Sequence, residues 1–169
     1  MPLNLLKRYN SLLDIGGLSI PDRNASLMRI FDRDIRDNEE FAFRGKIIRP
    51  INREDELPVD ILFKHLTTVV VDEKTKKRDF DIHRSQRLHW VKYHIEEKKK
   101  ENVLIFSAKD KNGKRTYIYD KDEFYVIVLE PKTNADNEEY YYFLTAYHLR
   151  GRNKNKIKNK YKRRLGEVL

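Results

Sequence analysis

The sequence predicts an α+β fold in which helices pack on a four-stranded antiparallel sheet, preceded by an N-terminal helical extension. Three observations carry this expectation. Helical periodicity is confined to the first hundred residues; four runs rich in Val, Ile, Tyr and Phe follow them; and the connectors between those runs are short and polar, as an antiparallel meander requires.

Residues 3–13 and 25–36 read as two short helices separated by Gly16-Gly17 and Pro21, with Leu5, Leu6, Tyr9, Leu12 and Leu13 on one face of the first. Between Phe41 and Pro58 the run Phe-Arg-Gly-Lys-Ile-Ile-Arg-Pro-Ile-Asn-Arg reads as extended chain, a linker or an edge strand. Val59 to Leu66 predicts a short helix, Thr67 to Val71 a β-branched strand, and Asp72 to Arg78 a charged turn. An amphipathic helix is expected from Arg84 to Glu97, its apolar stripe being Leu88, Val91 and Ile95. The strands follow at Val103–Ser107, Arg115–Tyr119, Phe124–Glu130 and Tyr140–His148, with Asn112-Gly113 a strong hairpin signal. The organisation is thus an extension and linker over 1–57, an α+β domain over 58–149 and a basic tail over 150–169.

Apolar residues make up 39% and charged residues 37% of the 169, which gives a modest core under a charged surface. No stretch approaches the roughly 20 apolar residues of a membrane helix, and the first residues lack a signal-peptide pattern, so a cytoplasmic protein with no membrane partner is expected, phage-borne or delivered into a target cell being compatible origins. With no Cys, disulfides, thiolate metal sites and cysteine nucleophiles are excluded. No His-Glu-x-x-His motif, Gly-rich phosphate loop or Gly-x-Ser-x-Gly elbow is present, so neither a metal nor another cofactor is expected.

The net charge of +9 is concentrated at one end. Of the 36 Lys and Arg, nine lie in residues 150–164 without an acid among them, so the remaining chain carries 27 basic against 27 acidic groups. Such a density suits a polyanion, because each neutralised phosphate releases condensed counterions. Arg84, Lys114, Arg150, Arg152, Lys154, Lys156, Lys158 and Lys160 are accordingly candidate RNA-binding residues. The plain alternative is a solvated tail kept unstructured by alternating Asn and Lys.

Helical spacing stacks His83, Arg87, Trp90 and His94 on one stripe. Metal-free RNA cleavage needs a base for the 2′-hydroxyl, an acid for the leaving oxygen and fixed positive charge at the phosphate, and His83 and Arg87 are of those types. A histidine beside a tryptophan is ordinarily a core-edge residue with one ring nitrogen satisfied, which applies above all to His94. Strand alternation puts Arg115, Tyr117 and Tyr119 on one face, and likewise Tyr141, Phe143, Thr145 and Tyr147, with Leu144 and Ala146 behind. Aromatic strand residues are also common cross-strand stabilisers.

The run Phe80-Asp81-Ile82-His83-Arg84-Ser85-Gln86-Arg87-Leu88-His89-Trp90-Val91, then Gly113-Lys114-Arg115-Thr116-Tyr117, Tyr125-Val126-Ile127-Val128-Leu129 and Tyr142-Phe143-Leu144-Thr145-Ala146-Tyr147, resembles the phage-type branch of the barnase, EndoU, colicin and RelE-like (BECR) ribonuclease superfamily. The resemblance covers about residues 58–150. It implies a metal-independent endoribonuclease toxin or effector, acting on RNA such as tRNA through a 2′,3′-cyclic phosphate, with a cognate antitoxin or immunity protein as partner. It further implies His83 as base or acid, Arg87 and Arg115 as phosphate holders, and Thr145 as the last-strand hydroxyl with Tyr147 beside it. The strands offer no Glu-plus-His pair, and Tyr117 is the alternative proton carrier. Two other readings use the same residues: a non-catalytic nucleic-acid-binding module, and a phage accessory interaction protein.

Overall fold

The computed structural model describes residues 3–53 and 55–169. In chain order come α1 (Ile20–Phe31), a π-helical turn (Asp32–Arg36), β1 (Ala42–Phe43), β2 (Lys46–Pro50), α2 (Pro58–Thr67), β3 (Thr68–Asp72), β4 (Lys77–Phe80), α3 (Ile82–Ser85) and α4 (Trp90–Ile95). Then follow β5 (Val103–Asp110), β6 (Gly113–Asp120), β7 (Tyr125–Thr133), β8 (Glu139–His148) and α5 (Asn153–Lys162).

The class is α+β, and β5 to β8 form the expected antiparallel meander. The sheet nevertheless has six strands, ordered β1-β2-β8-β7-β6-β5, and is mixed because β2 runs parallel to β8. The four-stranded antiparallel expectation fails at the segment between Phe41 and Pro58. Arg44 and Gly45, both at positive φ, close a two-residue hairpin there, and Ile48 pairs with Tyr141 far along the chain. At the β5–β6 turn Gly113 takes φ +120°, which the absence of a Cβ permits.

Two expected helices are also corrected. Residues 3–13 hold only a 3₁₀ turn at Asn4–Leu6, and Leu5, Leu6 and Leu12 stay exposed while Leu13 is buried. The Asn4 side chain instead bonds the backbone N–H and C=O of Asp14, and Asn10 sits at φ +61°, which no helix accommodates. The helix over 84–97 divides into α3 and α4 around Gln86–His89. The Gln86 carbonyl, which in a continuous helix would accept the Trp90 N–H, instead accepts the Leu13 N–H at 3.0 Å, and the Trp90 indole ties the same N-terminal segment down by donating to the Ser11 carbonyl. α1 starts earlier than expected because Ser19 accepts the Asp22 N–H and Pro21 sits in the first turn.

Two apolar clusters lie on opposite faces of the sheet. One joins Ile118, Ile127, Leu129, Phe143 and Ala146 to Leu27, Ile30, Leu62, Leu66, Trp90 and Val91, so segments from 13 to 48 share a core with the sheet. The other joins Phe106, Tyr117, Tyr119, Val126 and Val128 to Ile157. The sequence predicts the basic segment as a tail. Instead α5 packs on the second face through Ile157, 2% exposed, and through Tyr161 against Phe106. Beyond α5 the chain turns around the edge strand, where the Leu165 N–H donates to the Ser107 carbonyl. Among the described residues no helix is long and apolar enough to cross a membrane.

Candidate functional site

A bulge in β8 sets the geometry. Val128 pairs with Thr145 and Leu129 with Phe143, which leaves Leu144 as an inserted residue. Side-chain parity changes across it: Tyr141 and Phe143 join the first core with Ala146, whereas Leu144 and Tyr147 belong to the second cluster. The single face expected for Tyr141, Phe143, Thr145 and Tyr147 is therefore split in two.

Over this part of β8, between the β3–β4 hairpin and α5, lies a cleft of about 600 Å³. His65, Arg78, Arg84, Thr145, Tyr147, Lys156 and Lys160 line it, with Glu73 at the hairpin. α2 delivers His65 because Pro58 and Asp60 start that helix and the β-branched run from Thr67 ends it. Thr67 Oγ1 and Thr68 Oγ1 donate to the carbonyls of Phe63 and Lys64. His65 Nδ1 lies 3.0 Å from the Leu144 carbonyl oxygen. A carbonyl only accepts, so Nδ1 carries the proton and, in the neutral ring, Nε2 keeps its lone pair. Burial pulls the His65 pKa below its usual value, with the charges of Arg78, Arg53 and Arg84 adding to the effect against the Leu144 bond.

Arg84 comes from α3, whose N-cap Asp81 accepts the Arg84 N–H. Its Nη1 donates to the His65 carbonyl at 2.6 Å, the Thr68 carbonyl at 3.0 Å and Thr145 Oγ1 at 3.3 Å. Arg78 donates to the same Thr68 carbonyl at 2.9 Å and to Thr68 Oγ1 at 2.8 Å. Two guanidinium groups thus converge on the C-terminal end of α2, where the helix dipole favours cations. Among the described residues no carboxylate pairs with Arg84, and burial lowers its pKa from the ordinary arginine range. Its charge, 5.7 Å from the Tyr147 ring centroid, acts across the cleft. Burial raises the Tyr147 phenol, which keeps it protonated at neutral pH.

No family model, curated protein or solved structure matches the chain. The resemblance to the BECR ribonucleases rests on the short runs quoted above. Of the residues it singled out, Thr145 and Tyr147 line the cleft, as do Arg84, Lys156 and Lys160 from the RNA-binding set. His83 and Arg87 do not. His83 stacks on His148 at 6.3 Å, Arg87 donates to the His83 carbonyl, and its guanidinium lies 5.3 Å from the Trp90 ring. Trp90 and His94 are buried, so the broken helix disperses the predicted stripe.

Arg115 is paired with Glu130 at 2.6 Å and lies outside the cleft. Tyr117 is buried beneath α5, where its hydroxyl accepts from Lys160 Nζ at 3.0 Å. Lys114 borders a different depression with Lys46 and Glu167. Arg150 and Lys154 stand near His148, whose pKa burial and the charges of Arg87, His83, Arg150 and Lys154 push down to about 4. Arg152 and Lys158 are exposed on and beside α5. His65 and Arg78 are the cleft residues that sequence reasoning passed over: neither stands in a motif, and the tertiary structure alone brings them into one lining with Thr145. Among the described residues no three His, Asp or Glu side chains gather as a metal-holding group.

Proposed function

We propose that the cleft binds an RNA phosphodiester and cleaves it by proton transfer, without a metal. The observation that carries this reading is His65: a half-buried imidazole whose Nδ1–H is committed to Leu144, lining a cleft with four Lys or Arg side chains. In the proposed step His65 Nε2 removes the 2′-hydroxyl proton and the 2′-oxygen attacks phosphorus. The bond to the 5′-oxygen breaks, and that oxygen takes the Tyr147 phenolic proton, leaving a 2′,3′-cyclic phosphate and a 5′-hydroxyl. Arg84 and Arg78 oppose the charge that develops on the phosphoryl oxygens, and Thr145, held between Arg84 and the His65 carbonyl, positions both.

The base is thus His65 in place of His83, and the cations are Arg84 and Arg78 in place of Arg87 and Arg115. A protein of this activity in a cytoplasm calls for a neutralising partner, an acidic antitoxin or immunity protein filling the basic cleft. The test is incubation of the protein with tRNA and mixed RNA in EDTA, with end-group analysis. Fragments ending in cyclic phosphate, lost in His65→Ala and retained in His83→Ala, are the expected result. RNA that is retained but intact would assign the cleft to binding alone.

A further inference from the structure

A second depression of about 760 Å³ adjoins the cleft, and the two share His65, Val70 and Arg78. Arg53, Lys64 and Lys76 surround it, Lys64 being paired with Glu56 and Lys76 with Glu73, each at 2.5 Å. Lys156 and Lys160 stand at the opposite end, on α5. Cations therefore continue on both sides of His65, while aromatic residues are scarce: among the described residues Tyr147 is the one ring other than His65 in the two linings.

We infer that the joined depressions form a track for single-stranded RNA, with Arg53, Lys64 and Lys76 contacting phosphates on one side of the scissile bond and Lys156 and Lys160 on the other. The track rests on the proposed function for its substrate, and it adds the strandedness, the flanking contacts and a backbone-directed, sequence-tolerant mode of binding. A duplex is a poor fit, because His65 is half-buried between the β3–β4 hairpin and α5 and is reached by a strand whose sugar and phosphate can descend between those walls. Lysines on the walls meet phosphates as point charges, and with few rings to stack on, bases contribute little to selection.

The experiment measures equilibrium binding of a 12-nucleotide single-stranded RNA with 2′-O-methyl groups, which cannot be cleaved by 2′-attack, across a salt series. Wild type is compared with Lys64→Ala/Lys76→Ala and with a control, Lys98→Ala/Lys121→Ala, whose exposed lysines line neither depression. The track variant should lose affinity on the order of tenfold near 0.1 M salt and reduce the log–log salt slope by about 1.4, the value for two single-strand phosphate contacts. The control should match wild type, and a duplex of the same sequence should bind more weakly to wild type than the single strand. Unchanged affinity and slope in the track variant, or equal loss in the control, would overturn the track. Tighter binding of the duplex would overturn its single-stranded character. Cleavage plays no part in the readout, so failure of the proposed reaction leaves the track standing, and failure of the track leaves the reaction to its own test.

Discussion

His65 Nδ1 and the carbonyl oxygen of Leu144 are 3.0 Å apart, and that bond joins the C-terminal half of α2 to the bulge of β8. It fixes the imidazole tautomer by the same irregularity that turns Thr145 and Tyr147 toward the cleft.

Replacing His65 by Ala should lower RNA cleavage by about 10²- to 10⁴-fold, the usual contribution of a positioned base. RNA affinity should stay within a few-fold, as measured by binding of the uncleavable oligonucleotide. A variant that cleaves normally would remove His65 from the chemistry.

The pH profile of kcat/KM follows from the same residue. Its pKa lies below 6.5, so the neutral base predominates at pH 6.5 and activity falls only as pH drops through the lowered value. An acidic limb centred above 6.5 would contradict a His65 base. The Tyr147 phenol, raised above 10, predicts an alkaline limb beyond that value.

His148 gives a stability signature separate from activity. Its folded pKa of about 4 lies below the 6.5 of the unfolded chain, so the unfolded state binds more protons between those values. Stability is complete above pH 6.5 and declines as pH falls toward 4. After allowance for solvent screening the loss is about 1–2 kcal/mol. Denaturant midpoints of His148→Asn should show a shallower decline over this window. His65 and His89, shifted in the same direction, retain the remainder.

Asp120 is fully buried, with His94 Nε2 at 3.2 Å, Lys99 Nζ at 2.7 Å and the Tyr9 hydroxyl donating to it. Burial opposes its charge, yet the contacts from His94, Lys99 and Tyr9 outweigh burial and hold its pKa well below the carboxylate range. Asp120→Ala removes the acceptor shared by Tyr9, His94 and Lys99, leaves Lys99 its bond to Asp122 at 2.8 Å, and should cost about 1–3 kcal/mol in chemical denaturation through the buried donors left unpaired. A loss under 1 kcal/mol would show that the network contributes little.

Ile157→Ala should destabilise the fold by about 2–4 kcal/mol, because α5 is docked on the sheet through this side chain. A thermal midpoint equal to that of wild type would restore the segment to the status of a tail. Deleting residues 150–169 would uncover Tyr117 and Tyr119 as well as remove charge, so point substitutions are the cleaner probes of RNA binding.

The sequence by itself determined the α+β class, the meander from Val103 to His148, the helix ending near Leu66 and the concentration of cations after Leu149. Alternation, β-branched runs and the Asn112-Gly113 turn are local signals, and they act over a few residues. Tertiary structure decided the rest. β2 became a strand through parallel pairing with β8; the N-terminal segment broke the helix after Ser85 by binding the Gln86 carbonyl; and Ile157 gave the Lys-Asn run an apolar surface on which to be helical. One inserted residue, Leu144, reversed the side-chain parity that alternation assigns to Thr145 and Tyr147 and brought them to His65. A bulge is set by the neighbouring strand and by what donates to its freed carbonyl, and here both lie far from Leu144 in sequence.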